Sequence, residues 1–510
     1  MRAAVGTQNR ADTWISVAIV ALAFALRVAW LGWKPPHFDE GVNGWFLDEM
    51  TRTGRYAYDP TNFHGPLHFY VLFLSQTLFG RGLWELRMPL VLVSTACVAM
   101  LLAFRAHFGA RVCQIAALAM AVSPGFIFYG RYAIHETELV FFLILLAWGL
   151  AGLWRSGERR HLWAAALGAT GAVLTKETYV VHLVALALAV PCVVLYETMS
   201  ASAPLRIAMQ RWTRRDAWNV GAVCAVLIVF FYSGGLLHWE SLPGLWLTFA
   251  PWLATGMKGE TGHEKEWSYW LQLMGRYEWP ACVGLLASFG LLMPRTSRMA
   301  RYFAAAGLGA LIVYSGISYK TPWCVMSLIW PFYFTFGLVV VWMAQRLDRW
   351  VAAAAAACLL AGSLGLALDL NFRKPTDERE PYVYVQTTNE VEKLLGPLRT
   401  LVTRDVRNYH LIGSVILPDT HPLIWQLGDF TRVNFPTIDD LPEPLDAEFL
   451  LIDLPLVEQL EPKLRDIYFK DTMHIRGQSD QTAALYLRAV TFAEFFPGRV
   501  PELGMKEAAE

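Results

Sequence analysis

The sequence predicts a mostly α-helical polytopic membrane protein of about eleven transmembrane helices, followed by a small soluble α/β domain. Three observations predict it. The chain of 510 residues is 55% hydrophobic with 21 Trp, and its apolar runs recur near 20 residues, the length a helix needs to cross a hydrocarbon core. Six of the seven basic clusters between those runs fall on every second turn, the sorting of charge that orients a multi-span chain. From Asn371 onward charged residues and prolines rise and short β-rich runs appear. Residues 1–371 are therefore read as the membrane domain and 372–510 as the α/β domain.

The spans are expected near 13–33, 87–106, 112–129, 137–154, 161–175, 178–197, 217–237, 272–294, 301–317, 323–345 and 350–370. The first carries Arg2 and Arg10 ahead of it. It is long for a signal-peptide core and lacks a small-residue cleavage site, so it is read as retained. The turns with Arg105 and Arg111, Arg155/Arg159/Arg160, Arg206/Arg211/Arg214/Arg215, Arg295/Arg298/Arg301 and Arg346/Arg349 then share a side with the N-terminus. By the positive-inside rule that side is cytoplasmic, in a cell inner (plasma) membrane. An odd number of spans puts 372–510 outside. Leu67–Gly80 is apolar but too short to cross, and counting it would send every later basic turn to the wrong side. It is read as a re-entrant or interfacial helix. The alanine run at 351–358 suits a closely packed helix.

In the tail, Tyr382–Gln386, Gly413–Leu417, Phe449–Ile452 and Ala483–Arg488 read as strands, with helical stretches at Thr388–Leu398 and His421–Gly428. The end from about Pro501 reads as a frayed tail. Lys and Arg total 43, as do Asp and Glu, so no global field favours nucleic acid. The seven cysteines lie in or beside apolar runs, which indicates neither a disulfide framework nor a CxxC metal site.

The turns opposite the basic ones hold the unusual polar residues. Asp39-Glu40 follows the first span at the water boundary, where a shielded carboxylate suits general-base work; N-capping by Asp39 is the plainer alternative. His64-Gly65-Pro66-Leu67-His68 turns into the short apolar helix. Arg87 reads as an interfacial snorkeller. Arg131, His135 and Glu138 stand at helical spacing, and an Arg at a membrane surface is a natural fork for phosphate, with an ion pair as the alternative. Lys176-Glu177 sits in a turn with almost no loop, and His182 follows inside the next span. Lys320 shares a short turn with Trp323, either as a phosphate ligand or as an anchor. The long loop His238–Tyr269, with Lys258–Glu266 and His263, is glycine-punctuated and is read as a mobile cover. His37, His64, His135 and His263 with nearby carboxylates are the residues that a divalent ion would use. No HExxH-type spacing supports one, and neither a metal site nor a cofactor is assigned.

Taken together, these residues resemble the GT-C glycosyltransferases, in particular the protein-mannosyltransferase-like branch with aminoarabinose transferases and flippase-activity-associated proteins. The carrying pieces are His37-Phe38-Asp39-Glu40-Gly41, Gly65-Pro66-Leu67, Arg87-Met88-Pro89, and Tyr129-Gly130-Arg131-Tyr132 with Glu138. Thr175-Lys176-Glu177, and Lys320-Thr321-Pro322-Trp323 with Pro331, complete the set over roughly residues 13–345. The resemblance implies a GT-C-like fold with two juxtamembrane helices in the first outer loop and a polyprenyl-phosphate-linked sugar as donor. It implies Asp39 as the catalytic base beside Glu40, and donor-phosphate binding by Arg131, Lys176 and Lys320. His64, His135, Glu138, Glu177 and His263 are then expected to orient the acceptor or the sugar. One departure is Gly41-Val42-Asn43-Gly44, where many relatives carry bulkier or charged residues.

The expected reaction is transfer of a hexosyl or pentosyl group to a hydroxyl of a glycan, lipid or protein on the outer face. A neutralised lipid phosphate leaves without a general acid, so one base, cations at the phosphate and aligned attack suffice, with inversion at the anomeric carbon. The alternative is a transporter or lipid-linked-sugar flippase. Transporters place ionisable residues near the bilayer midplane, whereas here they sit at the ends of spans. An anchored receptor subunit is disfavoured by the number of spans, and an O-antigen-ligase-like enzyme lacks these motifs.

Overall fold

The computed structural model describes residues 10–62, 64–199, 210–257, 262–291, 296–477 and 480–502. The basic turns at Arg206 and Arg295, loop residues 258–261 and the tail beyond 502 lie outside them, as does Arg2. In chain order the helices are α1 Arg10–Val28, α2 Phe38–Thr53, α3 Leu67–Phe79, α4 Leu83–Ala103, α5 Arg105–Phe108, α6 Ala110–Ala121, α7 Pro124–Phe128, α8 His135–Ser156 and α9 Arg159–Val173. They continue with α10 Tyr179–Met199, α11 Arg214–Tyr232, α12 Gly244–Leu247, α13 Phe249–Met257, α14 Tyr269–Tyr277, α15 Trp279–Leu291, α16 Arg298–Gly316, α17 Val325–Arg346 and α18 Arg349–Leu368. Two compact units form: Met1–Leu31 with Thr53–Pro375, and Gly32–Arg52 with Thr376–Glu510.

In the first unit each expected span is a helix or an adjacent pair. Among the described residues seven helices are long and apolar enough to cross a membrane, eight if α6 and α7, bent by 61°, form one span. The α14–α15 pair, α9 and α16 take the remaining three positions. The segment at 67–80 is the 13-residue apolar helix α3, too short to span. The protein is thus a multi-pass membrane protein.

Small residues let α8 and α9 meet backbone to backbone. A Cβ at Gly149 would lie 2.3 Å from the Ala165 nitrogen, and one at Gly168 would lie 2.5 Å from the Leu146 nitrogen. Gly157, at φ 62°, ends α8 in the left-handed region. The alanine run of α18 behaves otherwise than expected. Within 351–358 only Ala352 and Ala356 are buried, so a single narrow stripe packs. Arg87 is fully buried rather than interfacial, and it donates to the Leu31 carbonyl at 2.7 Å.

Broken spans need their backbone groups satisfied from elsewhere. Glu278, in the break between α14 and α15, does this for the break between α6 and α7. Its buried carboxylate accepts from Ser123 Oγ at 2.7 Å, the Gly125 amide at 2.8 Å and the Tyr333 hydroxyl at 3.1 Å.

The second unit carries a five-stranded sheet, β1 Ile412–Ile416, β2 Arg432–Asn434, β3 Phe449–Asp453, β4 Tyr468–Arg476 and β5 Gln481–Arg488, in the order β2-β1-β3-β5-β4. β1 runs parallel to β2 and β3, while β5 is antiparallel to β3 and β4. Alternate β3 residues feed two cores. Leu451 packs with Leu394 and Leu398 of α19 (Glu392–Arg404), whereas Leu450 and Ile452 pack with Leu460 and Tyr486. Residues 382–386 form no strand of this sheet. Val385 takes φ 52°, and Gln386 instead makes a single bridge to His37. The helix expected at 421–428 shortens to α20, Leu423–Gln426.

Glu278→Leu removes an acceptor shared by at least three buried donors. It should lower the stability of the detergent-solubilised protein by roughly 3 kcal/mol or more, since a buried hydrogen bond to a charged group contributes about 1.5–3 kcal/mol. Thermal unfolding checks this, and an unchanged melting temperature would show that α6–α7 is held by other contacts.

Candidate active site

Two short backbone pairings build the site in the first unit. In the first, the turn ahead of α3 runs against the turn between α9 and α10. His64 bridges Lys176, the Gly65 amide donates to the Thr175 carbonyl at 3.0 Å, and the Leu67 amide donates to the Leu174 carbonyl at 3.0 Å. Gly65 is required there, because a Cβ would lie 2.2 Å from the Leu174 carbonyl oxygen. In the second, the end of the long loop pairs with the turn after α16. Glu264 bridges Tyr319, the Lys320 amide donates to the His263 carbonyl at 3.0 Å, and the Lys265 amide donates to the Ser318 carbonyl at 3.0 Å. The His263 segment is therefore docked, not free to act as a cover, and its ring tilts on Tyr319 at 5.0 Å.

Between these pairings lies a cavity of about 350 Å³. His64, Lys176, Glu177, Lys320 and Cys324 line it, with Trp252, Trp270, Tyr314 and Trp323 as aromatic walls. Its two lysines differ. Lys176 Nζ is 2.8 Å from Glu136 Oε2 and 3.6 Å from Cys324 Sγ, and Glu136 is fully buried. That cation is neutralised inside the protein. Lys320 is 2% exposed and its ammonium donates to the Lys265 carbonyl at 3.1 Å and to the Ile317 carbonyl. Among the described residues no carboxylate pairs with Lys320. Burial lowers its pKa from the ordinary lysine value.

Behind the cavity stand three histidines in contact. The His135 ring lies 4.6 Å from His64 and 4.0 Å from His68. His68 Nδ1 is 2.9 Å from Glu138 Oε2, and His64 Nδ1 is 3.5 Å from Glu177 Oε2. Glu177 also accepts from Thr248 at 3.4 Å. His135 and Glu138 thus reach the cavity only through His64 and His68. Glu136, His68, Cys324 and Tyr314 were not singled out from the sequence. His68 lies inside the His64–His68 motif and Glu136 beside His135, but only the fold reveals their partners.

Arg131 does not share a face with His135 and Glu138. It ends a short 3₁₀ turn, Tyr132 and Ile134 are extended, and α8 starts afresh at His135. Its guanidinium serves the end of α1, donating to the carbonyls of Leu26 at 3.2 Å, Ala29 at 2.5 Å and Trp30 at 3.2 Å, and it lies over the Phe372 ring at 4.8 Å. Three orphan carbonyls of a helix C-terminus are satisfied at once.

Asp39 and Glu40 belong to the second unit. Glu40 is fully buried and accepts the His37 amide at 2.8 Å, the reach-back arm of a capping box. The His37 ring is also fixed. Its Nε2 is 2.7 Å from the Tyr384 carbonyl, so that nitrogen carries the hydrogen, and Nδ1 accepts the Asp39 amide at 3.1 Å. Burial lowers the His37 pKa, in keeping with a neutral ring. The Asp39 carboxylate, 38% exposed, therefore starts α2 with its backbone held and its side chain open to solvent.

A multi-pass membrane unit with the short helix α3, and a second unit in which α2 joins a small C-terminal sheet, define the class: the chain has the GT-C glycosyltransferase fold. Residues 63–203 match the family described as dolichyl-phosphate-mannose-protein mannosyltransferase. The crystal structure of ArnT from Cupriavidus metallidurans bound to undecaprenyl phosphate aligns with a TM-score of 0.62 at 14% identity, covering 94% of this chain and 99% of that one. The apo state of that protein aligns with a TM-score of 0.60 at 15% identity, covering 95% and 99%. A comparison with curated protein sequences finds no match.

Gly65→Ala forces Leu174 away and separates His64 from Lys176. It should abolish most ligand binding in the cavity and destabilise the unit by roughly 1–3 kcal/mol, as overpacking does. Thermal unfolding and binding measured on the same preparation check this; wild-type values for both would show that the 64–67 turn tolerates the side chain.

Proposed function

We propose that the protein is a membrane glycosyltransferase that takes a sugar from a polyprenyl-phosphate-linked donor and transfers it to an acceptor hydroxyl on the outer face of the cell inner membrane. The observation that carries the proposal is Lys320, a buried ammonium on the cavity wall that donates to carbonyls and, among the described residues, pairs with no carboxylate. A buried charge is costly until a counter-charge arrives, and a lipid phosphate supplies one. Lys176 adds donors but little net charge, because Glu136 balances it. Arg131 we leave to the end of α1. The aromatic walls suit the sugar and the first isoprene units, with His64 and Glu177 orienting hydroxyls. His135, Glu138 and His263 act by holding those groups and the Lys320 turn.

In this reading Asp39 is the base. It removes the proton from the acceptor hydroxyl as that oxygen bonds to the anomeric carbon. The bond from that carbon to the phosphate oxygen breaks, its electron pair leaves with the polyprenyl phosphate, and the centre inverts. No general acid is needed, because Lys320 stabilises the departing charge. Glu40 sets the start of α2 and thereby Asp39. The undecaprenyl phosphate bound in the ArnT crystal structure and the match to the dolichyl-phosphate-mannose-protein mannosyltransferase family support the donor class; the sugar and the acceptor are left open.

Asp39→Asn should cost roughly 10²–10⁴ in turnover, the usual loss of a general base, while donor binding persists. Full turnover by that variant would leave Asp39 as a helix-start residue. Lys320→Gln should weaken binding of a short-chain prenyl-phosphate sugar by roughly tenfold to a hundredfold, the equivalent of one charge-assisted contact. The cationic form binds the anion, so affinity in the parent protein should fall as pH rises through a Lys320 pKa below the ordinary lysine range, and Lys320→Gln should lack that slope. Equal donor binding by parent and variant at every pH would remove Lys320 from the site.

The alternation of arginine turns supports a cytoplasmic N-terminus and an exported 372–510 domain. Arg379 is exposed. On a cysteine-free background Arg379→Cys should react with an impermeant maleimide in intact spheroplasts; reaction only after permeabilisation would reverse the orientation.

A further inference from the structure

We infer that the C-terminal α/β unit is a positioning element of the active site, which sets the place of Asp39 by clamping the glycine face of α2. The inference rests on the reading of Asp39 as the base, and it assigns a task to a part of the chain that the transfer chemistry leaves unused.

The contacts run in series from the sheet to the helix. At the end of the β4–β5 hairpin, Arg476 donates through Nε to Gln481 Oε1 at 3.0 Å and through a terminal nitrogen to Asp419 Oδ2 at 3.1 Å. Gln481 donates to the Asp419 carbonyl at 2.7 Å. These bonds fix the 419–422 loop to a rigid edge. The same Arg476 guanidinium lies over the Phe38 ring at 4.6 Å, and His421 meets Phe38 edge-on at 5.6 Å. Phe38 immediately precedes Asp39.

One turn further along α2 the helix offers glycines, and the loop presses into them. A Cβ at Gly41 would lie 2.3 Å from the Pro422 Cα, and one at Gly44 would lie 2.4 Å from the Trp425 ring. Spaced by three, the two glycines share a face of α2. Their lack of side chains is what lets Pro422 and Trp425 sit against the helix backbone. His37 is also held by the Tyr384 carbonyl at 2.7 Å, and Gln386 Nε2 donates to the Pro35 carbonyl at 3.0 Å. Residues 35–44, with Asp39 between the two sets of contacts, are thus gripped at both ends by the C-terminal unit. Glycines in helix interiors cost about 1 kcal/mol each relative to Ala, and close docking of this loop is the gain that offsets it. A displacement of about 1 Å at a reacting group costs on the order of 10²-fold in rate, so such a clamp acts on turnover rather than on donor affinity.

The test is a size swap in the full-length protein. Gly44→Ala should lower kcat by roughly tenfold or more while binding of a short-chain prenyl-phosphate sugar stays within about twofold of the parent. Adding Trp425→Ala should restore most of the lost kcat by making room for the new methyl group. Arg476→Gln, which removes the stack on Phe38 and the Arg476 bonds that anchor the 419–422 loop, should show the same separation of kcat from donor binding. Parent-like kcat in both Gly44→Ala and Arg476→Gln would overturn the inference. A loss in Gly44→Ala that Trp425→Ala fails to relieve, or that donor binding shares in full, would overturn it too. Failure here is distinguishable from failure of the base assignment: in the first case Asp39→Asn is still inactive, whereas in the second Asp39→Asn turns over normally.

Discussion

The buried pair between Lys176 and Glu136 sets the electrostatics on which the rest of the candidate site depends. The two residues come from the α9–α10 turn and the first turn of α8, and they meet at 2.8 Å with the carboxylate fully buried. Breaking such a pair strands a charge and is far costlier than forming it is favourable. Its presence means that, among the described residues, the cavity lysine with no carboxylate partner is Lys320, which donates to carbonyls. In the proposed reading, a wall with one neutralised lysine and one lysine without a described carboxylate partner suits a single anionic group. The backbone pairings at 64–67 with 174–176, and at 263–265 with 318–320, keep both lysines in place without using their side chains.

A second constraint is the lack of water in a membrane, which makes every helix break a problem of unsatisfied backbone groups. The protein meets it with buried charge. Glu278 serves the start of α7, while Arg131 and Arg87 serve the carbonyls at the end of α1. These residues look functional because ionisable groups inside membrane segments usually are. Here each of them bonds to backbone groups at a helix break or a helix end.

Much of this was legible in the sequence. Apolar periodicity placed each expected span on a helix or an adjacent pair, of which seven or eight among the described residues are long and apolar enough to cross a membrane, and the shortness of Leu67–Phe79 kept it out of that set. The first-loop and short-turn motifs marked His64, Lys176, Glu177 and Lys320, which the fold brings to one cavity. Other parts were illegible because they depend on non-local partners. Spacing alone put Arg131 with His135, but the extended residues 132 and 134 break the helix between them. Apolar character alone suggested a strand at 382–386, where the backbone turns away to hold His37. The alanine run at 351–358 promised tight packing that only two of its alanines make. The glycines of α2 read as a mere departure from relatives until Pro422 and Trp425 showed what fills their place.

The most direct test of the proposed anion seat is a cryo-electron microscopy structure of the protein with a short-chain prenyl phosphate. The account predicts phosphate density within hydrogen-bonding distance of Lys320 Nζ, inside the cavity bounded by Trp270, Tyr314 and Trp323. Phosphate density at Arg131, or at any site with the cavity empty, would contradict it.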